Sequence, residues 1–349
     1  MEFTPGKPLR TFNQYGGWKD FSTDEFIGQK LNHLQGWYCS MGVNNLFINS
    51  DGDMFGASCR LKNGLLGNVW EEFSLPQEWQ LCPKLVCSCG ADLFIPKVKD
   101  LSQKDLLIGT NGNKIDTEKK TNNISEVVAM ERVWGPNAKQ VHWELGRRCN
   151  YNCSYCWPDI HNNYESHKDL DTLISTTQRI QSQFIKGSKC NFVITGGEPT
   201  TNNSLLDWLL YLNSFRYHIS LHSNGSRTAD YYAKLIRMAD VNLSVHFESY
   251  DREKFIKVVK TITKIKKEED NQGVGHLEVK IMMAPENLEE TKSLEKEILA
   301  IDGFKGYCML SISSIKDNEK KYPDGQPMDG FLLEGYTEEH FKMFGDRCG

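Results

Sequence analysis

The sequence predicts an α/β protein in which a small, cysteine-rich N-terminal domain precedes a partial (β/α)6 barrel of the TIM type. Its 349 residues, 39% of them hydrophobic, are enough for about two domains. From Gly36 to about Pro96 the chain is rich in Gly, Trp and Cys, whereas short β-rich runs alternate with helical stretches from Gln140 onward. Because such alternation produces βαβ units, a parallel sheet is expected, either open or curled, and we expect the curled form.

Six predicted strands alternate with five predicted helices in the C-terminal part of the chain. The strands are expected at residues 141–145, 191–195, 217–221, 241–245, 277–282 and 307–312. The helices are expected at residues 169–186, 205–212, 228–238, 251–267 and 288–298, with a further short one at 337–344. The resulting division is an N-terminal extension (1–35), a cysteine-rich domain (36–100), a linker (101–136), the barrel (137–316) and a C-terminal segment (317–349).

Composition narrows the functional classes. A formal net charge of -5 argues against a broad nucleic-acid surface, so nucleic acid is not an expected partner. No apolar run is long enough for a membrane span or a signal peptide, and we expect a cytoplasmic protein with no membrane partner. The 11 cysteines are clustered, which in a cytoplasmic chain favours metal ligation or redox chemistry over disulfides.

The first predicted strand of the barrel is followed by three closely spaced cysteines, Cys149, Cys153 and Cys156. This C-x3-C-x2-C spacing can place three thiolates on three irons of a cubane cluster, which leaves one iron open to an exogenous ligand. Two other interpretations stay open from the residues alone. One is a zinc site completed by His142 or His161, and the other is a group of three buried thiols.

A second motif, Gly196-Gly197-Glu198-Pro199-Thr200, follows the second predicted strand of the barrel. Its glycines permit a close backbone approach, and the Glu198 carboxylate can receive an ammonium group of a ligand. Because both motifs follow successive parallel strands, both are expected at the sheet edge where α/β folds bind their ligands.

Together, the C-x3-C-x2-C and Gly-Gly-Glu-Pro motifs resemble those of the radical S-adenosylmethionine (SAM) enzymes, over about residues 140–315. The resemblance implies a [4Fe-4S] cluster on Cys149, Cys153 and Cys156, with SAM bound to the open iron. It also implies a low-potential electron, supplied by a flavodoxin- or ferredoxin-type partner. The residues that it assigns to SAM are Tyr155 (adenine), Gly196, Gly197 and Glu198 (amino group), Ser223 and Asn224 (carboxylate or ribose), and Ser244 and His246 at the rim of the fourth strand.

The N-terminal domain holds five further cysteines: Cys39, Cys59, Cys82, Cys87 and Cys89. Their setting is similar to the auxiliary-cluster modules called SPASM or twitch domains, although such modules usually follow the barrel. The resemblance implies one auxiliary [4Fe-4S] cluster. Its favoured ligands are all of these cysteines except Cys82, which becomes the substitute if the Cys87-Ser88-Cys89 pair is too tight to share one cubane. A structural zinc is the alternative. Two other cysteines, Cys190 and Cys308, lie on predicted strands and are expected in the core.

The resemblance implies a reaction that begins when a 5'-deoxyadenosyl radical abstracts a hydrogen atom from the substrate. The sequence names no catalytic residue for it. The auxiliary cluster is expected to transfer an electron or to hold the substrate, and the expected substrates are a peptide or protein, or a small molecule. Two other classes stay open, namely an enzyme that modifies RNA or a nucleobase, and a non-catalytic zinc or iron-sulfur scaffold.

Overall fold

The computed structural model describes residues 9–21, 23–59, 64–87, 90–93, 95–107, 117–121, 126–132, 139–156, 161–269, 273–315, 317 and 332–347. The chain divides into two compact units. Unit 1 comprises Met1–His142 and Ser175–Asn191, and unit 2 comprises Trp143–Ile174 and Phe192–Gly349. Cys89, one of the predicted auxiliary ligands, lies outside the described residues.

Unit 1 is built mainly from short antiparallel strands. They are β1 (Leu9–Phe12), β2 (Trp18–Phe21), β3 (Tyr38–Cys39), β4 (Asn45–Ile48), β5 (Asp53–Phe55), β6 (Leu65–Asn68), β7 (Gln80–Leu81), β8 (Lys97–Val98) and β9 (Ala129–Arg132). Six of them form one sheet in the order β2-β1-β9-β8-β3-β7, in which all neighbours are antiparallel. The others pair as an antiparallel β4-β5-β6 meander.

The segments expected as an N-terminal extension and as a linker belong to this sheet. The extension supplies β1 and β2, and the linker segment supplies β9, which pairs with β1 on one side and with β8 on the other. Leu9 and Met130 from these strands are buried in one core cluster with Phe26 and Leu34. Such four-residue strands are too short to show a period, and the sheet forms because it buries these side chains.

The helices of unit 1 are short. They are α1 (Thr23–Gly28), α2 (Gly90–Leu93) and the 3-10 helices Leu101–Leu106 and Thr117–Lys119. A capping box starts the first 3-10 helix. The Asp100 side chain accepts from Ser102 N at 2.8 Å, while Gln103 Oε1 accepts from Asp100 N at 2.9 Å.

From residue 139 onward strands and helices alternate, which confirms the predicted α/β order. The elements are β10 (Lys139–Glu144), α3 (Leu170–Ile180), β11 (Cys190–Thr195), α4 (Leu205–Ser214), β12 (His218–Ser223), α5 (Ala229–Leu235), β13 (Asp240–His246), α6 (Arg252–Glu268), β14 (Leu277–Met283), α7 (Leu288–Leu299), α8 (Phe304–Tyr307), β15 (Cys308–Ser314), α9 (Glu338–Met343) and β16 (Gly345–Arg347). A π-helical turn, Gln181–Ile185, continues α3, and 3-10 turns lie at Pro199–Thr201 and Pro285–Asn287.

In unit 2 the strand order is β11-β12-β13-β14-β15-β16. Strands β12 to β15 pair in parallel, and β16 is antiparallel to β15. Side chains alternate along β14, where Val279 and Ile281 are fully buried whereas Lys280 and Met282 are half-buried. One face of the sheet is therefore apolar, and the other carries polar side chains.

Side-chain caps begin several of the helices. Asp251 accepts from Lys254 N at 3.0 Å at the start of α6, and Thr228 Oγ1 accepts from Tyr231 N at 3.3 Å at the start of α5. Cys190 is buried as predicted, and Cys308 is half-buried, 3.5 Å from Thr263 Oγ1. None of the helices in the described part of the chain is both long and apolar enough to cross a membrane.

Candidate functional site

The chain segments at the ends of β10, β11, β12 and β13 surround one cavity of about 470 Å³ in unit 2. The three cysteines of the loop and all eight residues that the resemblance assigns to SAM line this cavity. The other lining residues are Tyr151, His161, His222, Lys280, Met282, Ser313, Ser314 and Ile315. The structure thus brings the predicted residues together, while their contacts with a cofactor stay predictions.

The cysteine loop is held by local hydrogen bonds and by the carboxylate of Glu248. Within the loop, Tyr151 N donates to Cys149 Sγ at 3.4 Å. Glu248 accepts from Ser154 N at 2.6 Å. All three cysteines of the loop are half-buried. Burial raises the pKa of Cys149 to about 11, and the nearby negative charge of Glu198 adds to this shift.

The two glycines of the second motif allow it to pack against the chain that leads into the cysteine loop. Gly197 N donates to Gly146 O at 2.8 Å. A Cβ on Gly197 would lie 2.4 Å from the carbonyl oxygens of both Arg147 and Arg148. Gly196 has a φ of +124°, and a Cβ there would lie 2.5 Å from Gly146 O. Only glycine permits this approach at both positions.

Glu198 is 1% exposed, and its carboxylate is fully engaged by the chain. Oε1 accepts from Thr200 N at 3.0 Å, from Thr200 Oγ1 at 2.5 Å and from Ser223 Oγ at 2.8 Å. Oε2 accepts from Asn224 N at 2.6 Å. Burial raises the pKa of Glu198, and these donors oppose the shift. Since four donors fill the usual capacity of a carboxylate, Glu198 orders Ser223 and Asn224 in this geometry.

Asn224 connects the end of β12 to the cysteine loop. Its Nδ2 donates to Asn150 Oδ1 at 3.0 Å and lies 3.9 Å from Cys149 Sγ. Ser223 Oγ also lies 2.6 Å from Tyr232 Oη in the core. The cysteine loop, the Gly-Gly-Glu turn and the end of β12 are therefore one hydrogen-bonded unit.

Tyr155 and His246 form an aromatic pair at the cavity. Their rings stack with centroids 5.9 Å apart, and Tyr155 Oη lies 2.9 Å from His246 Nδ1. Burial lowers the pKa of His246 to about 4, so its imidazole is neutral near pH 7. A fixed ring at position 155 is consistent with the adenine contact that the resemblance implies.

The residues around the cavity fit a [4Fe-4S] cluster that is completed by SAM. The donors are three half-buried thiols on one loop, and thiolates are the ligands that such clusters prefer. His161, a candidate fourth zinc ligand, has Nε2 2.7 Å from Tyr151 O, and His142 packs edge-to-face against Phe47.

Four of the five N-terminal cysteines are described, and three of these are buried. Cys39 and Cys82 pack in one buried cluster, which the half-buried Cys59 also contacts. Burial raises the pKa of Cys87 to about 12, and Cys39 and Cys82 are near enough to add to the shift. The structure brings these four cysteines into one region, and the auxiliary cluster itself stays a prediction.

Two buried charged residues beside these cysteines were not predicted. Asp92 accepts from Cys59 N at 2.9 Å. Lys97 is 1% exposed and lies directly opposite Cys39 in the β3-β8 pair. Its Nζ donates to the carbonyl oxygens of Asp92 and Ile95, the latter at 2.9 Å. Burial opposes the charge of Lys97, whereas Cys39, Cys87 and Asp92 favour it, and the net effect raises the pKa of Lys97.

The sequence analysis also missed most of the cavity lining supplied by β12, β14 and β15. His222, Lys280 and Ser313 lie on these strands, each of them half-buried. Lys280 could have been identified from the alternation in Leu277–Met283. Every second residue there is apolar and buried, which places Lys280 on the opposite face of the strand.

Residues 143–272 match the family model described as the Radical SAM superfamily. The chain contains a radical SAM domain. Over 120 residues it is 28% identical to a GTP 3',8-cyclase of Agrobacterium fabrum, covering 32% of this chain and 33% of that protein. Over 174 residues it is 22% identical to the radical SAM cyclopropyl synthase TigE of Paramaledivibacter caminithermalis, covering 44% and 36%. The chain thus spans about a third of the length of the curated relatives it matches.

The radical SAM domain includes the cysteine loop and the Gly-Gly-Glu turn, and this superfamily implies a [4Fe-4S] cluster and SAM. The relatives that it matches are enzymes. Among solved structures, Streptococcus suis SuiB bound to S-adenosylmethionine is similar over 53% of this chain and 40% of that one, with 14% identity and a TM-score of 0.36.

Proposed function

We propose that this protein is a radical SAM enzyme in which Cys149, Cys153 and Cys156 hold a [4Fe-4S] cluster and the cavity binds SAM. The observation that supports this most strongly is the convergence of the cysteine loop and the Gly-Gly-Glu turn on one cavity. When bound, the cluster and SAM supply a 5'-deoxyadenosyl radical, which abstracts a hydrogen atom from the substrate. In this proposal the sheet of unit 2 curls around the cavity as a partial (β/α)6 barrel.

The protein residues orient the ligands and exclude water. Glu198 fixes the side chain of Ser223 and the backbone of Asn224, and Asn224 in turn bonds to the cysteine loop. His246 holds the ring of Tyr155 at the edge of the cavity. Such fixed side chains allow a radical to meet one substrate hydrogen atom before it reacts elsewhere.

The auxiliary cluster is proposed on four of the five N-terminal cysteines. Cys39, Cys59 and Cys87 are three of the ligands, and the fourth is Cys82 or Cys89. The burial of Cys82 beside Cys39 supports Cys82. The proposed partners are a flavodoxin- or ferredoxin-type electron donor and a peptide, protein or small-molecule substrate, in the cytoplasm.

Iron and sulfide analysis after anaerobic reconstitution tests this proposal. We expect about eight irons per chain in the wild type, as two cubanes require. The variant with Cys149, Cys153 and Cys156 all changed to Ala should retain about four irons and release no 5'-deoxyadenosine from SAM under reducing conditions. Cys190→Ala is the matched control, because this buried cysteine lies away from both predicted ligand sets, and it should retain all of its iron.

Two results would contradict the proposal. Zinc bound at the cysteine loop would exclude the cluster there. Iron-loaded wild-type protein that releases no 5'-deoxyadenosine in the presence of SAM and reductant would favour a non-catalytic scaffold. An iron content near four that is unchanged when Cys39 and Cys59 are replaced would remove only the auxiliary cluster.

A further inference from the structure

Lys97 is a buried charged residue of unit 1 that the function proposed above does not use. Its side chain belongs to a residue that is 1% exposed. Nζ donates to the carbonyl oxygens of Asp92, Leu93 and Ile95, at 3.5 Å to Leu93 and 2.9 Å to Ile95. Three acceptors around one nitrogen match the three donors of an ammonium, whereas a neutral amine has only two. The chain therefore holds a positive charge inside unit 1.

This charge lies beside two of the proposed auxiliary ligands. In the antiparallel β3-β8 pair Lys97 is directly opposite Cys39, so the two side chains lie on the same face with their Cβ atoms about 5 Å apart. Burial raises the pKa of Cys39 to about 11 and that of Cys87 to about 12, and Lys97 opposes both shifts. The charge that acts most strongly on these two thiols is that of Lys97.

A buried carboxylate lies beside a third proposed ligand. Asp92 is 4% exposed, and its two oxygens accept from Ser58 N and Cys59 N, both at 2.9 Å. Burial raises the pKa of Cys59, and the charge of Asp92 adds to the rise more than any other charge does. The two buried charges therefore act on different members of the cysteine group. The ammonium acts mainly on Cys39 and Cys87, and the carboxylate acts mainly on Cys59.

Fixed charges of this kind change the reduction potential of an iron-sulfur cluster. A [4Fe-4S] cluster on four thiolates is negatively charged, and reduction adds one electron without forming or breaking a bond. A nearby positive charge stabilises the reduced form and raises the potential, whereas a nearby negative charge lowers it. Because both side chains are buried, salt and water screen these effects less than they would at the surface.

We propose that Lys97 and Asp92 set the reduction potential of the auxiliary cluster in opposite directions. Lys97 favours the reduced form and Asp92 favours the oxidised form. Both are positioning residues that act on the ligands, since neither is itself a proposed ligand. The proposal rests on the auxiliary cluster proposed above, and it deepens the electron-transfer role of that cluster, because a potential matters where an electron is exchanged.

A redox titration tests this proposal on protein that carries the three Cys→Ala changes of unit 2, in which the remaining iron belongs to unit 1. Dithionite supplies the electrons, and electron paramagnetic resonance measures the reduced cluster. We expect Lys97→Met to lower the equilibrium constant for reduction about tenfold, which is about 59 mV for one electron. Lys97→Arg should restore most of the potential. Asp92→Asn, which keeps one oxygen as an acceptor, should raise the potential. Lys99→Met removes an exposed lysine of the same segment and should leave the potential unchanged.

The sign of each shift separates a charge effect from a loss of structure, because general damage to the site gives no reason for opposite shifts. Shifts in the same direction, or no shift in either variant, overturn the proposal. Zinc in unit 1, or a cluster that dithionite does not reduce, overturns it as well.

If Lys97→Met retains no iron, the other two variants decide. An unchanged potential in Lys97→Arg together with a higher one in Asp92→Asn supports the proposal, and a lower potential in Asp92→Asn overturns it. None of these measurements requires SAM. Failure of the wild type to release 5'-deoxyadenosine from SAM therefore contradicts the function proposed for unit 2 and leaves the result for unit 1 standing.

Discussion

The two groups of cysteines lie in opposite surroundings. In unit 2 the three cysteines come from one loop and stay half-buried beside a cavity. In unit 1, Cys39, Cys82 and Cys87 are 2%, 8% and 8% exposed, Cys59 is half-buried, and the four come from separate segments of the chain. An open site keeps a position for an exogenous ligand, whereas a closed site suits a structural or electron-transferring centre. The contrast matches the two roles proposed for the two sites.

The charges next to the two groups also differ. Glu198, a buried carboxylate, adds to the rise in the pKa of Cys149. In unit 1, burial raises the pKa of Cys39 to about 11, an effect that the buried ammonium of Lys97 opposes and the carboxylate of Asp92 increases. Unit 1 thus places a positive and a negative charge beside its thiols, whereas the charge of Glu198 beside Cys149 is negative.

Gly197→Ala tests whether the open site depends on the close packing of its two motifs. The added Cβ would lie 2.4 Å from two carbonyl oxygens of the backbone, so the turn or the cysteine loop has to move. We expect the free energy of unfolding to fall by about 3 kcal/mol. We also expect about four irons to be lost from unit 2 while unit 1 retains its own. Denaturant titration and iron analysis measure these two effects.

Gly306→Ala is the control for this substitution, because nothing lies within 4 Å of a Cβ at that position. It should leave the iron content at the wild-type value and should not lower the stability, because alanine is favoured over glycine within a helix. Wild-type iron content in Gly197→Ala would show that the contact between the motifs is dispensable for the open site.

Local patterns explain why much of unit 2 could be predicted. The strand expected at 241–245 is observed as Asp240–His246, and the helix expected at 251–267 as Arg252–Glu268. Strand and helix periods, capping residues and contiguous cysteine motifs are all visible in a short window of sequence. The glycines at 196 and 197 are also visible in such a short window, because their role depends on a turn directly after a strand.

Pairings between distant segments explain what was missed. Strand β9, Ala129–Arg132, follows a polar stretch and is held between its partners β1 and β8, which are distant in the sequence. Lys97 resembles a surface lysine in the sequence, and only the register that places it opposite Cys39 reveals a buried charge. Lys280 required the same information, because its position in the cavity depends on the register of the parallel strands.

Lys97→Met tests the buried cysteine site of unit 1. The substitution removes a positive charge and leaves the buried carbonyl oxygens of Asp92 and Ile95 without their donor. We expect a loss of about 2 kcal/mol in the free energy of unfolding and weaker retention of metal by unit 1, with unit 2 unaffected. Iron analysis of a protein that carries Lys97→Met together with the three Cys→Ala changes of unit 2 measures the metal retained by unit 1 alone.

The sign of the stability change is the informative result for Lys97. If the neighbouring thiols never carry negative charge, a buried ammonium compensated by Asp92 alone is unfavourable, and methionine should stabilise the protein. An increase in stability with unchanged metal content would therefore contradict a thiolate site in unit 1. Lys305→Met serves as the control for loss of a positive charge from the surface, and it should change neither quantity.

The smallest expected effect is a loss of stability at acid pH, caused by His222 in the cavity of unit 2. The pKa of His222 is lowered from 6.5 to about 4 by burial, so the unfolded chain takes up a proton before the folded chain does. Stability is therefore lost as the pH falls from 6.5 toward 4. Between pH 7 and pH 5 we expect the wild type to lose about 1 kcal/mol more than His222→Gln does, as measured by urea titration.

His33→Gln, which replaces an exposed histidine of unit 1, should keep the wild-type dependence on pH. Equal pH dependence of the stability in the wild type and in His222→Gln would mean that His222 is solvated in the folded protein. The lining of the cavity would then be less buried at this residue than the lowered pKa of His222 implies.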